Sequence, residues 1–150
     1  MSVILETSTD KILEHRVIDR IEAANVSMQA IQMPPFSVVD YCLTRSGDMF
    51  ALLEVKVRKP TIETVKGYGG LMLKERKITE LNQLSDLLRL PAFVAFAFEQ
   101  GDGPILLCDV GRLAGVPAVA PPERRNFRGL DCDLDPVVML DWDKHLSRLL

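Results

Sequence analysis

The feature that most constrains the fold is the stretch SVVDYCLTRSGDMFALLEVKVRKP, from Ser37 to Pro60. Its apolar residues recur at every second position in two runs, Ser37 to Thr44 and Met49 to Val57. That period marks a strand with one face turned to a core. Between the runs lies Ser46-Gly47-Asp48, where Gly47 is free to take a positive φ, so the stretch reads as a β-hairpin. The odd positions are apolar in both runs: Val39, Tyr41 and Leu43, then Ala51, Leu53, Val55 and Val57. Facing these sets across a three-residue loop pairs residues whose numbers sum to 94, which sets Asp40 opposite Glu54. Lys56 stands two residues further along the same face. The other even positions are Val38, Cys42, Phe50 and Leu52, so a helix is expected to cover that face too.

Two carboxylates opposite each other on a strand pair lie about 5 Å apart and repel when partly buried. Two arrangements relieve them. One is a bound divalent cation, for which oxygen ligands with open water positions suit Mg²⁺ or Mn²⁺. The other is an ion pair of Lys56 with Glu54 or Asp40 and no metal.

The flanking segments read as helices. Thr7-Ser8-Thr9-Asp10 has the Thr-x-x-Asp pattern of a helix start, and Ile12, Leu13, Val17, Ile18 and Ile21 follow at helical spacing to about Ala24. Glu14 falls on that apolar stripe, within about 40° of Ile18 and about 20° of Ile21. It either reaches water at the stripe's edge or aims inward at the two acids. Pro34-Pro35 ends an irregular or extended segment before the hairpin. After it, Thr61 to Lys66 forms a short helical turn, and a second long helix runs from about Lys74 to Leu90, burying Ile78, Leu81, Leu84 and Leu88. Lys77 lies on the same line, either snorkelling out at the helix start or pointing across the sheet toward Glu54. The run from Pro91 to Phe98 is apolar throughout, as in a strand buried on both faces. A strand, a helix and a strand in this order make a βαβ unit, so Met49–Val57 and Ala92–Phe98 are expected to be parallel neighbours.

A further strand is expected from Pro104 to Val110, then a Pro-, Ala- and Arg-rich irregular segment from Gly111 to Asn126, with Arg124, Arg125 and Arg128 forming a second small basic cluster around its end. A short strand, Val137 to Leu140, and a helix from Trp142 to Leu150 capped by Asp141 complete the chain. With 150 residues the chain is expected to form one α/β domain, its core at about 9–110 and an extension at 111–150. The sheet is expected to be mixed, with about four strands flanked by helices.

Several chemistries are excluded. The Gly67-Tyr68-Gly69-Gly70 cluster fits neither a P-loop nor a dinucleotide fingerprint. Asp131-Cys132-Asp133-Leu134-Asp135 fails as a calcium loop, with Pro136 where glycine is needed and Trp142 where glutamate is needed. Cys42, Cys108 and Cys132 share no CxxC spacing, which points to reduced thiols and a cytoplasmic protein. His15 and His145 lack partners for a metal or a triad. The N-terminal MSVILETSTDK is no signal peptide, and no apolar run is long enough for a membrane span. The net charge of −3 argues against bulk coating of nucleic acid. That charge is uneven, however: from Lys56 to Lys77 seven basic residues face two acidic ones.

A helix, a hairpin with an acid and then Glu54-Val55-Lys56, a helix and a strand resemble the PD-(D/E)XK nuclease superfamily over roughly Thr9 to Val110. Val39-Asp40 stands in place of the family's Pro-Asp. Glu-x-Lys recurs at Glu75-Arg76-Lys77 in a helix, so spacing, register and βαβ continuation carry the resemblance. It implies a restriction-endonuclease-like core and Mg²⁺- or Mn²⁺-dependent hydrolysis of DNA, in which Asp40, Glu54 and the Val55 carbonyl hold the metal, with Glu14 directly or through a water. Lys56 would position or deprotonate the attacking water or neutralise the phosphate, and Lys77 matches an extra basic residue of some members. Arg58, Lys59, Lys66 and Lys74 would contact DNA phosphates. The compact size is similar to small phage-type nucleases, which act in a bacterial host, and to archaeal-type Holliday-junction resolvases, which implies a homodimer. A nuclease-fold protein that binds nucleic acid without cutting is the other reading.

Overall fold

The computed structural model describes residues 8–121 and 135–150. In chain order these form helix α1 (Ser8–Ala24), strands β1 (Met28–Gln32), β2 (Tyr41–Arg45) and β3 (Asp48–Val57), helix α2 (Ile62–Gly67), strand β4 (Met72–Lys74), helix α3 (Glu75–Leu88), and strands β5 (Ala92–Ala97), β6 (Ile105–Asp109), β7 (Val137–Met139) and β8 (Ser147–Arg148). The main sheet has the order β1-β2-β3-β5-β6-β8, and β4 pairs with β7 in a second sheet. Thr7, Arg124, Arg125, Arg128 and Asp131 to Leu134 lie outside the described residues.

The hairpin register follows the alternation. Tyr41 pairs with Leu53, Cys42 with Leu52 and Leu43 with Ala51. The loop is tighter than the three residues expected. Ser46 and Gly47 both have positive φ, 52° and 83°, as a two-residue type I′ turn requires. Asp48 therefore begins β3, and a bulge between Leu43 and Thr44 absorbs the extra residue. Beyond the bulge the numbers sum as the odd-face pairing demands.

That register sorts the side chains into two cores. The odd residues Tyr41, Leu43, Ala51, Leu53 and Val55 pack with Val17, Ile18 and Ile21 of α1. The even residues Cys42 and Leu52 pack with Ile78 and Leu81 of α3 and with Val65, Leu71 and Leu73. β5 serves both, with Val94 and Phe96 on the α3 side and Ala95 and Ala97 on the α1 side. It pairs in parallel with β3, from Leu52 with Ala92 to Val57 with Ala97, as the βαβ order requires. The other neighbours in the main sheet are antiparallel.

The main sheet has six strands, not four, and both additions are edges. β1 alternates only over Met28 and Ala30, which pack in the α1-side core, and then runs out exposed at Ile31 and Gln32, too short a pattern to mark a strand. β8 replaces the expected C-terminal helix. Asp141 does cap a turn there, its Oδ1 accepting from the N–H groups of Asp143 and Lys144 at 2.9 Å each. The chain then straightens: Leu106 and Leu107 pair with Arg148 and Ser147, and the N–H groups of Leu149 and Leu150 donate to Ile105. Leu146 seals one core while Leu149 and Leu150 seal the other. Open ladder positions on β6 outweighed the helical spacing of these leucines. In the same way Met72 to Lys74, just before α3, extends to pair with Val137 to Met139. No helix of the described residues is long and apolar enough to cross a membrane.

Candidate active site

β2 begins at Tyr41, while β3 runs to Val57. Beyond Leu53 the β2 side of β3 is therefore free of ladder partners, and Asp40 occupies that fork. Its backbone carbonyl accepts from Met33 N–H at 2.8 Å, which turns the preceding loop away from β3. Its Oδ2 accepts from the Val55 N–H at 2.9 Å, standing in for the carbonyl a longer β2 would offer. In an antiparallel pair a residue's N–H and C=O face the same partner strand, so the Val55 carbonyl also opens on this fork.

Glu54 is only 4% exposed, on the α3 face. Its Oε2 lies 3.1 Å from Lys77 Nζ and 3.5 Å from Lys56 Nζ. The Lys77 ammonium also donates to the Val38 carbonyl, so it turns inward at the start of α3 instead of out to water. Lys56 Nζ leans toward the open side, with about a third of its side chain exposed (35%). Among the described residues, Glu54 Oε1 is buried without a hydrogen-bond partner. A buried acceptor in that state costs about 1–3 kcal/mol unless something satisfies it.

Asp40 feels the same crowding. Burial first, and then the charge of Glu54, raise its carboxyl to a pKa of about 6 from the ordinary 3.8. The Val55 hydrogen bond and the charges of Lys56 and Lys77 oppose that rise without cancelling it. Two carboxylates, one orphaned oxygen and a backbone carbonyl form a hard oxygen donor set, which fits Mg²⁺ or Mn²⁺.

The remaining candidates are placed as follows. Glu14 is buried on α1, which packs against the opposite face of the sheet, and pairs with Lys11 at 3.4 Å. Among the described residues no group of three or more His, Cys, Asp or Glu side chains could hold a metal ion, so Glu14 does not join Asp40 and Glu54. Arg58 follows the end of β3, its N–H donating to Ala97 O at 2.7 Å and its guanidinium 5.9 Å from the Phe96 ring. Lys59 and Lys66 are exposed on the segment that follows. Lys74 is drawn to Asp135 at 4.0 Å, beside the second sheet. A cavity of about 380 Å³ between α3 and the segment after β6, lined by Ile78, Asn82, Leu113 and Val116 among others, contains none of the candidate residues.

Two atoms of this region escape sequence reasoning. The Val38 carbonyl, which anchors Lys77, is a backbone group with no residue-type signal. The Tyr41 hydroxyl, buried without a partner among the described residues, belongs to a residue that alternation alone assigns to the core. A buried phenol needs a partner, and that requirement is the signal that singles it out.

No protein-family model matches the chain, and no curated protein does. Among solved structures it is similar to Hjc of Archaeoglobus fulgidus, a Holliday junction resolvase from an archaeal hyperthermophile. The TM-score is 0.52 at 17% sequence identity, over 69% of this chain and 75% of that one. Hjc belongs to the PD-(D/E)XK nuclease superfamily, and this chain has its restriction-endonuclease-like fold.

Proposed function

We propose that this protein is a divalent-cation-dependent nuclease that hydrolyses DNA phosphodiester bonds. The observation that carries the reading is Glu54: a buried carboxylate beside a second acid, with two lysines on one oxygen and, among the described residues, no hydrogen-bond partner on the other. Its place at the end of β3, in a fold shared with a nuclease superfamily, supports the same reading.

Asp40, Glu54 and the Val55 carbonyl would hold Mg²⁺ or Mn²⁺. When bound, such an ion polarises a phosphate oxygen and lowers the pKa of a coordinated water. Lys56, on the open side, orients the attacking water and meets the charge that builds on the phosphate. Lys77 neutralises Glu54 from beneath and keeps its carboxylate aimed at the fork. Arg58, Lys59 and Lys66 contact backbone phosphates without reading bases. Lys74 can do so only by leaving Asp135. Hjc resolves Holliday junctions, which favours branched DNA as the substrate here, cut by a homodimer that brings two sites to one junction.

The test is direct. Purified protein with Mg²⁺ or Mn²⁺ cuts linear, circular or four-way-junction DNA, and Glu54→Ala or Lys56→Ala lowers the rate by about 10²-fold or more. Cutting that survives both substitutions removes the assignment. Binding without products from any of these DNAs identifies a non-cutting nucleic-acid-binding protein instead.

A further inference from the structure

The proposed chemistry leaves the turn Gly67-Tyr68-Gly69-Gly70, which closes α2, without a role. Tyr68 is 69% exposed, whereas the chain's other tyrosine, Tyr41, is 2% exposed. The turn that carries the ring is tied down through its backbone. Its N–H bonds to Thr64 O at 3.2 Å and Val65 O at 3.1 Å, and the Gly70 N–H bonds to Val65 O at 3.0 Å. Gly69 and Gly70 have φ of 109° and 98°, values that side chains rarely allow, and they return the chain at once to the buried Leu71. A Cβ added at Gly67 or Gly69 would meet nothing within 4 Å, whereas one at Gly70 would meet the Trp142 indole nitrogen at 3.4 Å, so the turn is open at its first two glycines and backed by Trp142 at its third.

The setting is equally specific. Val65 and Leu71 belong to the α3-side core with Cys42 and Leu52, so the turn shares a face of the sheet with Glu54, Lys56 and Lys77. It follows the end of β3 through Arg58, Lys59 and α2. Lys66 precedes it, with its ammonium 5.1 Å from the centre of the Trp142 ring, and Trp142 in turn packs on Phe98 beyond the end of β5. An exposed aromatic ring on a hydrogen-bonded turn, beside cations that can follow a phosphate backbone, is how proteins grip unpaired bases.

We infer that Tyr68 is a stacking platform for an unpaired nucleobase of the DNA. It makes the protein prefer DNA with an unstacked base near the cleavage point over intact duplex, whose bases offer no free face. This inference rests on the proposed nuclease reading.

The test uses the full-length protein without added metal, at one fixed salt concentration. Fluorescence anisotropy measures binding to single-stranded, gapped and fully duplex DNA of one sequence, the unpaired segment carrying 2-aminopurine. Tyr68→Ala is expected to weaken binding to single-stranded and gapped DNA roughly 5- to 150-fold, the range measured for loss of one base–aromatic stack, and to leave duplex binding unchanged. Tyr68→Phe keeps the wild-type preference. The 2-aminopurine signal is quenched by wild type and by Tyr68→Phe, and not by Tyr68→Ala. Equal losses on all three DNAs, no loss on any, or a Tyr68→Phe that behaves like alanine overturns the inference. So does a change of solution mass in Tyr68→Ala, which assigns the ring to a protein contact. In a parallel assay with added Mg²⁺ or Mn²⁺, a wild type that cuts DNA while Tyr68→Ala binds and cuts indistinguishably from it refutes the stacking role alone; a wild type that neither binds DNA nor cuts it with the metal present refutes the nuclease reading as well.

Discussion

Two glutamates are buried on opposite faces of one sheet. Glu14 is 7% exposed on the α1 side, and Glu54 is 4% exposed on the α3 side. By burial alone they are alike. Their surroundings differ in origin. The ion pair of Glu14 is with Lys11, three residues back on its own helix. Glu54 faces charges from three elements: Lys56 on β3, Lys77 on α3 and Asp40 just before β2. Charge-compensating a buried acid locally is a way to tolerate it. Bringing a second acid to it from the loop before β2, with one of its oxygens unpaired among the described residues, creates a repulsion that a cation resolves. Convergence, more than burial, marks the site.

The largest expected effect breaks or confirms this contrast. The resemblance to PD-(D/E)XK nucleases gives Glu14 a place at the metal, while the structure seats it across the sheet. Glu54→Gln should lower cleavage by about 10²-fold or more. Glu14→Gln should cost at least about tenfold less than Glu54→Gln, because among the described residues Glu14 does not join Asp40 and Glu54 in a group that could hold a metal. Cleavage rates measured side by side decide it, and equal losses would erase the distinction between the two faces.

Stability sharpens the same comparison. In metal-free protein, Lys77→Ala leaves Glu54 buried with one exposed partner, and breaking a buried pair costs about 3 kcal/mol. Lys11→Ala removes an i,i+3 partner whose side chain is 41% exposed, worth about 0.5 kcal/mol. Urea denaturation should therefore show a large midpoint shift for the first and a small one for the second. Similar shifts would mean that Lys77 is as dispensable as a surface lysine.

The pH dependence follows from Asp40. Its carboxyl is raised to about 6 in the fold, against 3.8 without it, so between those values the native state binds more protons than the unfolded chain. The contribution is stabilising at low pH and is lost as pH rises through about 6. Above that pH, Mg²⁺ or Mn²⁺ should restore stability by binding the ionised pair. Asp40→Asn should flatten this part of the pH profile and abolish the metal-induced rise in Tm. A wild-type profile that climbs between pH 4 and 6 in metal-free protein, with no such difference in Asp40→Asn, contradicts the crowded-carboxylate account.

Much of this arrangement is legible in the residues. The alternation from Val39 to Val57 dictates which side chains share a face, and the pairing of Tyr41 with Leu53 places Asp40 beside Glu54 with no further information. Edge elements are another matter. β1 and β8 are held by ladder hydrogen bonds that any residue can make, so Met28–Gln32 needs only two inward apolar residues, Met28 and Ala30, and the leucines of the C-terminal segment mimic a helix. The direction of Lys77 is equally open in sequence, because a lysine on an apolar stripe can snorkel or turn in. A backbone acceptor at Val38 decides it, and only the loop before β2 puts that acceptor there.

Tyr41 offers the smallest and most local test. Its ring belongs to the α1-side core and meets His15 edge-on, with centroids 6.4 Å apart. Its hydroxyl is buried without a hydrogen-bond partner among the described residues. Burial and then the negative charges of Glu14 and Asp40 push the phenol up to a pKa of about 12, so it stays neutral. An unsatisfied buried hydroxyl is a cost that phenylalanine does not carry. Tyr41→Phe should leave the packing intact and stabilise the protein by about 1 kcal/mol, a rise in Tm of about 2–4 °C for a chain of this size. If the variant is instead destabilised by a similar amount, the hydroxyl has a partner in solution. Glu14 is the carboxylate whose charge it feels most, and the α1 face would then hold a polar link between the helix and the strand that leads to Asp40. In that case the two faces are coupled through Tyr41, and Glu14→Gln should lower cleavage further than its local pairing with Lys11 predicts.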